Sequence, residues 1–412
     1  MVYIIAILFV MTTTFTVSAN DFLDAIRQQL DLTIHQSMNL YGIREDNPLN
    51  RNNWQEQEEW ESRLEAELSW YLQFANILQL NFRGDMQWSE ISGYYDDREF
   101  LYKDVLFNVD ETLLDINIYG TGRIMAGKTM RKYGAALLLP VTNFLYEDTI
   151  EKDSENHGKW MAGFSFYQGI ISVESWYSPI ADWVHDAYTP PLRDGLNAIF
   201  LLNSIITTDI HRFGFVYYHN RAHKAGAYYS GQIGDSFIPY AEIAVSNHPL
   251  VSSFAPDAVL SRSDSWSFDG LLGGSCYLTD INTAIYMEYR YRTSGYTNNN
   301  WNVLEQGLSS TAIIETIANA LPYLYTPVHT IGIRVQNTRQ IRELFDYGIN
   351  LFWLAPYGMY IRGEGVVSLF ERLKISLGAS YIPSFGNSGE TRWWNKTWQI
   401  DLALQWSVRT ME

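Results

Sequence analysis

The chain has 412 residues and a formal charge of −17, from 46 Asp and Glu against 29 Lys and Arg, a balance that argues against a nucleic-acid partner. A single cysteine, Cys276, excludes a disulfide framework and a Cys-rich metal site within one chain. Aromatic residues make up 15% of the chain while mean hydropathy is only −0.17, so apolar residues are interleaved with polar ones. Such a composition suits membrane interfaces, and also large carbohydrate-binding β-proteins.

Residues 1–19 carry an apolar core and end in Val17-Ser18-Ala19, which reads as a signal peptide cleaved after Ala19, with the N-terminal amine as its only positive charge. No later run reaches the ~18 uncharged apolar residues of a membrane helix. A chain like this one crosses a bilayer only as a closed barrel, because closure alone satisfies every backbone group in lipid.

In residues 20–63, Phe22, Leu23, Ile26, Leu30, Ile34 and Met38 recur at helical spacing until Asn47-Pro48 and Arg51-Asn52-Asn53 interrupt them. The spacing predicts one amphipathic helix and a linker. From Leu64 the period becomes two: Ala66, Leu68, Trp70, Leu72, Phe74, Leu78, Leu80 and Phe82 alternate with polar residues. This predicts a long first strand over 64–83.

Further strands are predicted at 102–109, 113–119, 122–128, 160–168, 170–177, 196–203, 212–219, 225–233 and 239–246, then at 267–278, 284–292, 330–336, 345–354, 359–370 and 373–381. In the last, 398–408, the apolar Trp398, Ile400, Leu402, Leu404, Trp406 and Val408 alternate with Gln399, Asp401, Ala403, Gln405 and Ser407. One apolar face with tryptophan toward both ends matches a transmembrane strand and its aromatic girdle. Trp406 stands six residues before the C-terminus, inside the position where barrels of this class present a terminal aromatic to the insertion machinery.

Spacing of ~20 to 25 residues per strand and connection gives about 14 to 18 strands, an even number. Longer connections fall at 148–159, 178–194, 247–265 and 295–328, and residues 304–321 within the last have helical spacing. The expected organisation is a signal peptide at 1–19, a helix and linker at 20–63, and a single antiparallel transmembrane β-barrel at 64–412 that carries one helical loop insert.

Residues 123–144 read R-I-M-A-G-K-T-M-R-K-Y-G-A-A-L-L-L-P-V-T-N-F. A strand ends at Gly127-Lys128, a turn passes through Tyr133-Gly134, and a Pro140/Asn143 segment folds back. The pattern resembles the G-K-x-x-x-x-W-G-x-G stretch and following Pro/Asn segment of outer-membrane barrels of the alginate-export and phosphate-selective porin type. Tyr133 stands where those barrels have Trp, and Ala135-Ala136 replaces the second glycine. Stretches 225–245 (with Glu242), 283–301 and 359–386 resemble the same barrels. The resemblance implies a barrel in the outer membrane of a diderm bacterium that passes small or polymeric polar solutes, in contact with outer-membrane lipid and the barrel-assembly machinery, and without a cofactor.

The strand over 284–292 places Tyr286, Glu288, Arg290 and Arg292 opposite Ile285, Met287, Tyr289 and Tyr291. Lys or Arg facing lipid at mid-bilayer costs ~2 to 4 kcal/mol, so these charges belong on the lumen side. The same parity marks Asp115, Arg123, Glu174, Glu242, Arg334, Arg362, Glu364 and Asp401 as pore-lining candidates, either facing solute or paired as internal salt bridges. Lys128 and Arg131 lie near a turn, where they would form a basic constriction or an ordinary turn.

His211, His219 and His223 cluster near Ser230, but His219 and His223 flank a turn at Asn220-Arg221, and no G-x-S-x-G, P-loop, H-E-x-x-H or Ca-loop pattern occurs. A channel without catalysis is therefore the leading expectation. A plugged barrel for polysaccharide binding or assembly, and a soluble exported carbohydrate-binding β-protein, are the alternatives.

Overall fold

The computed structural model describes residues 26–43, 57–74, 77–95, 98–118, 120–129, 131–143, 159–178, 199–220, 222–247, 253–254, 260–261, 266–293, 295, 328–337, 345–355, 358–370, 373–381 and 396–411. The proposed leader and the helical stretch at 304–321 lie outside these residues.

The strands, in chain order, are β1 (Ile26–Ile43), β2 (Gln57–Phe74), β3 (Leu78–Tyr95), β4 (Arg98–Ile118), β5 (Gly122–Thr129), β6 (Lys159–Gln168), β7 (Ile171–Ser178), β8 (Ile199–Thr207), β9 (His211–Asn220), β10 (Ala222–Gly231), β11 (Phe237–Ser246), β12 (Ser253–Phe254), β13 (Leu260–Ser261), β14 (Ser267–Leu278), β15 (Thr283–Arg292), β16 (His329–Asn337), β17 (Phe345–Ala355), β18 (Gly358–Phe370), β19 (Leu373–Tyr381) and β20 (Lys396–Met411). The two-residue strands β12 and β13 form a separate ribbon; the others make one 18-stranded sheet in which each strand pairs antiparallel with its sequence neighbours. β1 also pairs with β20, from Gln29↔Met411 to Ile43↔Lys396. The sheet is closed, and no edge is left in it.

Outward positions are apolar and solvent-exposed. On β20, Trp398, Ile400, Leu402, Leu404 and Trp406 are all exposed while Ala403 is buried on the other face. Nine residues at ~3.3 Å each, tilted by ~40°, rise roughly 23 Å, close to the ~25 Å apolar belt of a membrane barrel. Trp160, Phe200, Trp353, Tyr381 and Trp398 ring the outer wall toward one end, and Phe166, Phe237 and Trp406 toward the other. Cys276 is a free thiol on this outer face.

The two ends differ in their connections. At one end the strands are joined through 75–77, 119–121, 169–170, 208–210, 232–236, 279–282, 338–344 and 371–372, all short. The other end carries every long connection, 44–56, 130–158, 179–198, 247–266, 293–328 and 382–395, together with three short ones, 96–97, 221 and 356–357.

The expected helix at 20–63 is corrected by β1, which occupies Ile26–Ile43 and pairs over most of its length with both β2 and β20. Ile26, Leu30, Ile34 and Met38 are four apart, a spacing that fits a helical face and equally the even positions of a strand. Leu32 and Leu40 share that even parity, and so favour the strand. The predicted first strand over 64–83 is two: β2 and β3 are paired neighbours, with Phe74 opposite Leu78, and even-numbered apolar residues continue on both sides of the break. Conversely, the predicted strands 102–109 and 113–119 are one, because β4 absorbs Asp110 as a bulge where the register passes from Arg83↔Glu111 to Gly84↔Val109. Among the described residues the only helical turn is a 3₁₀ turn at Thr279–Ile281.

Leu272 sits midway along β14, 67% exposed on the outer face. Leu272→Arg is expected to lower the unfolding free energy of the barrel in lipid vesicles by ~2 to 4 kcal/mol, read from urea titration.

Candidate functional site

After β5 the chain leaves the wall, and residues 131–143 run as bends and irregular backbone. Tyr133 joins a cluster with Leu113, Met125, Met161, Trp176, Leu201, Val216 and Tyr228. Leu139 and Val141 join another with Tyr240, Ala244, Leu271, Phe352 and Tyr360, and Ala135 packs against both. These partners come from β4 through β11 and from β14, β17 and β18. In a closed barrel only the interior touches strands so far apart around the circumference.

An irregular segment inside a barrel has backbone donors with no ladder to join. Here two carboxylates accept them. Glu242 Oε1 accepts from the N–H of Ala135 (2.5 Å) and Ala136 (2.7 Å), and Oε2 from the N–H of Val141 (2.7 Å) and Thr142 (2.9 Å) and from the Thr142 hydroxyl (3.1 Å). Glu288 accepts from the N–H of Leu137 (2.7 Å), Leu138 (3.0 Å) and Leu139 (2.6 Å), and from the Tyr240 hydroxyl (2.7 Å). Pro140, which has no N–H, is the one residue from 135 to 142 that donates nothing to the pair. The two carboxylates are buried to 1% and 0% exposure. Each acid, costly to bury alone, is compensated by charge-assisted bonds.

The motif residues make this approach possible. Gly134 has φ +116°, and a Cβ there would stand 2.4 Å from Glu242 Oε1. Gly127 has φ +144°, with a hypothetical Cβ 1.8 Å from the Thr112 carbonyl. Lys128 is 5% exposed and donates to the Val109 carbonyl, so of the two cations expected near the constriction it is Arg131 that stays partly exposed.

The remaining pore-lining candidates fall into pairs. Arg290 and Arg292 both bond Asp269, at 2.5 and 3.1 Å. Arg362 meets Asp401 at 2.9 Å, Arg334 meets Glu364 at 3.7 Å, and Arg123 meets Asp115 at 3.6 Å. Arg131 lies 3.9 Å from Glu174 with its guanidinium over the Trp176 ring. Glu242 and Glu288, from the same candidate set, are the loop's anchors. Along β10, His223 alternates with Lys224, Gly226, Tyr228 and Ser230, so His223 and Ser230 occupy opposite faces and do not form a nucleophile–base pair.

No family model matches the chain, and no curated protein matches it either. Solved structures do. Acinetobacter baumannii OccAB1 superposes with a TM-score of 0.54 at 9% identity, covering 94% of this chain and 97% of that one. Pseudomonas aeruginosa OccK7 (OpdD) gives 0.52 at 9% identity over 93% and 99%. Pseudomonas aeruginosa OpdK, solved with vanillate, gives 0.50 at 10% identity over 93% and 99%. This chain shares the Occ barrel fold.

Several residues of this Occ-type barrel were not singled out by sequence. Asp269 follows from parity along β14, where it shares a face with the buried Leu271. Tyr240 shares a face with Glu242 by the same rule, and Trp176 with Glu174. That seven loop N–H groups converge on two distant carboxylates has no local signal.

Glu242→Gln exchanges one acceptor oxygen for an NH₂ group that faces N–H donors. Loss of bonds to a charged acceptor, ~1.5 to 3 kcal/mol each, is expected to speed amide hydrogen exchange across 135–142 by about a hundredfold, equivalent to ~2.7 kcal/mol. Gly134→Ala is expected to have the same effect by steric displacement of the carboxylate.

Proposed function

We propose that the chain is an outer-membrane channel passing small polar solutes, with the loop at 131–143 narrowing its bore. The carrying observation is that loop, clamped inside a closed barrel whose outer face is apolar and whose inner face keeps solvated charge. Arg123, Arg131 and Arg334 have side chains 46%, 33% and 32% exposed. In a solid interior such groups would be desolvated at a cost of several kcal/mol, so a wet lumen accounts for them. The short-turn end belongs in the periplasm and the long-loop end outside the cell, as in barrels of this class. Lipid around the apolar belt and the barrel-assembly machinery are the partners this reading requires.

Within the lumen, Arg123, Arg131, Glu174, Arg334 and Glu364 are the proposed solute-facing charges. Asp115, Arg290, Arg292, Arg362 and Asp401, more deeply buried, hold the wall together, Lys128 ties β5 to the Val109 carbonyl of β4, and Glu242 and Glu288 fix the loop. The likeness of 123–144 to alginate-export and phosphate-selective barrels concerns this same loop and suggests anionic solutes, which the three exposed arginines would attract.

The full chain refolded into a planar bilayer is expected to give stable ohmic conductance steps; a folded, heat-modifiable barrel giving no steps would overturn the channel reading. In Arg123→Ala/Arg131→Ala, the reversal potential in a salt gradient is expected to shift toward cation preference.

A further inference from the structure

β9 ends at Asn220 and β10 begins at Ala222, at the same end of the barrel as the long connections. The pairing of these two strands sets His219 directly opposite His223. Their rings stack with centroids 4.5 Å apart and planes inclined by 26°. By parity both share a face with Phe213 and Phe215, exposed on the outer wall, and oppose Val216 and Tyr218, buried on the inner one. Neither imidazole takes part in the loop clamp or in the charge pairs of the lumen.

We infer that His219 and His223 form a two-imidazole site for a divalent transition-metal ion on the outer rim of the barrel, with water completing the coordination. Three observations carry this. The Tyr217 hydroxyl lies 2.7 Å from His223 Nδ1, so the tyrosine orients the ring and leaves Nε2 as the coordinating nitrogen, the usual arrangement behind a metal-bound histidine. His219 Nδ1 is buried without a hydrogen-bond partner, which leaves this ring without that competing use of its nitrogen. The backbone is held as well: the His223 N–H donates to Asn247 Oδ1 at 2.7 Å, and the β9–β10 ladder continues below it.

The chemistry of the pair selects the ligand. Two stacked imidazolium rings bound to an anion would repel one another, whereas one cation bonded to both neutral rings turns their proximity into chelation. Two nitrogens and water oxygens suit copper(II) best, then nickel(II) and zinc(II), in the order expected for nitrogen donors. His329 makes a useful contrast. It bonds the Tyr289 hydroxyl at 2.8 Å and packs against Tyr291, and its ring contacts are with tyrosines rather than a second imidazole.

The test uses the full chain folded in detergent, titrated with copper(II) in a non-coordinating buffer and followed by electron paramagnetic resonance. One copper per chain with splitting from two nitrogens is expected. His219→Ala and His223→Ala should each weaken binding by at least about tenfold, Tyr217→Phe by about tenfold, and His329→Ala not at all. Each variant is checked for folding by its heat-dependent gel shift. If either His variant fails to fold, diethyl pyrocarbonate labelling of the parent decides, because copper should protect His219 and His223 but not His329. Absence of binding, binding that survives both His substitutions, or equal protection of all three histidines would overturn the site.

Discussion

Two problems that would each be unaffordable alone are solved together inside this barrel. A loop that leaves the wall carries unpaired N–H groups into a space without a ladder, and a carboxylate on the inner wall beneath that loop loses its water. Glu242 and Glu288 supply the acceptors, and seven N–H groups from Ala135 to Thr142 supply the donors. Pro140 needs no acceptor, and Gly134 removes the side chain that would hold Glu242 off. The apolar side chains on the loop can then pack on Tyr240, Leu271, Phe352 and Tyr360. The loop's course, and with it the narrowing of the bore, depends on this exchange.

Around the clamp the inner wall is built from opposite charges that meet across strands. Asp269 serves two arginines, while Arg362 reaches Asp401 over Gly378 of the intervening strand. Pairing of this kind keeps most cations at the wall and leaves a few, such as Arg123 and Arg131, with exposed heads. Selectivity in such a lumen rests on which charges remain solvated, and much less on the total of −17.

Closure depends on β1. Without it β2 and β20, which run in the same direction, would have to meet as a parallel pair, and the 17 remaining strands could not close as an antiparallel sheet. With β1 between them both contacts are antiparallel.

Much of this was legible in the sequence. The alternation of Trp398 through Trp406, repeated along the chain, made a barrel the leading expectation, because a period of two gives each strand one apolar and one polar face whatever the neighbours are. Parity likewise put Glu288, Arg290 and Arg292 on one face, and the Gly127/Gly134/Pro140 segment marked where the wall would be interrupted. Spacing of four in Ile26, Leu30, Ile34 and Met38 was ambiguous by arithmetic, since it fits helix and strand alike, and only pairing with β2 and β20 resolved it. The acceptors of the loop were beyond the sequence for a different reason: Glu242 and Glu288 lie about 100 and 150 residues from their donors, and hydrogen-bond partners so far apart are chosen by the curvature of the closed wall. Local chemistry determined the strands and their faces; closure alone decided which charges became anchors and which stayed in contact with water.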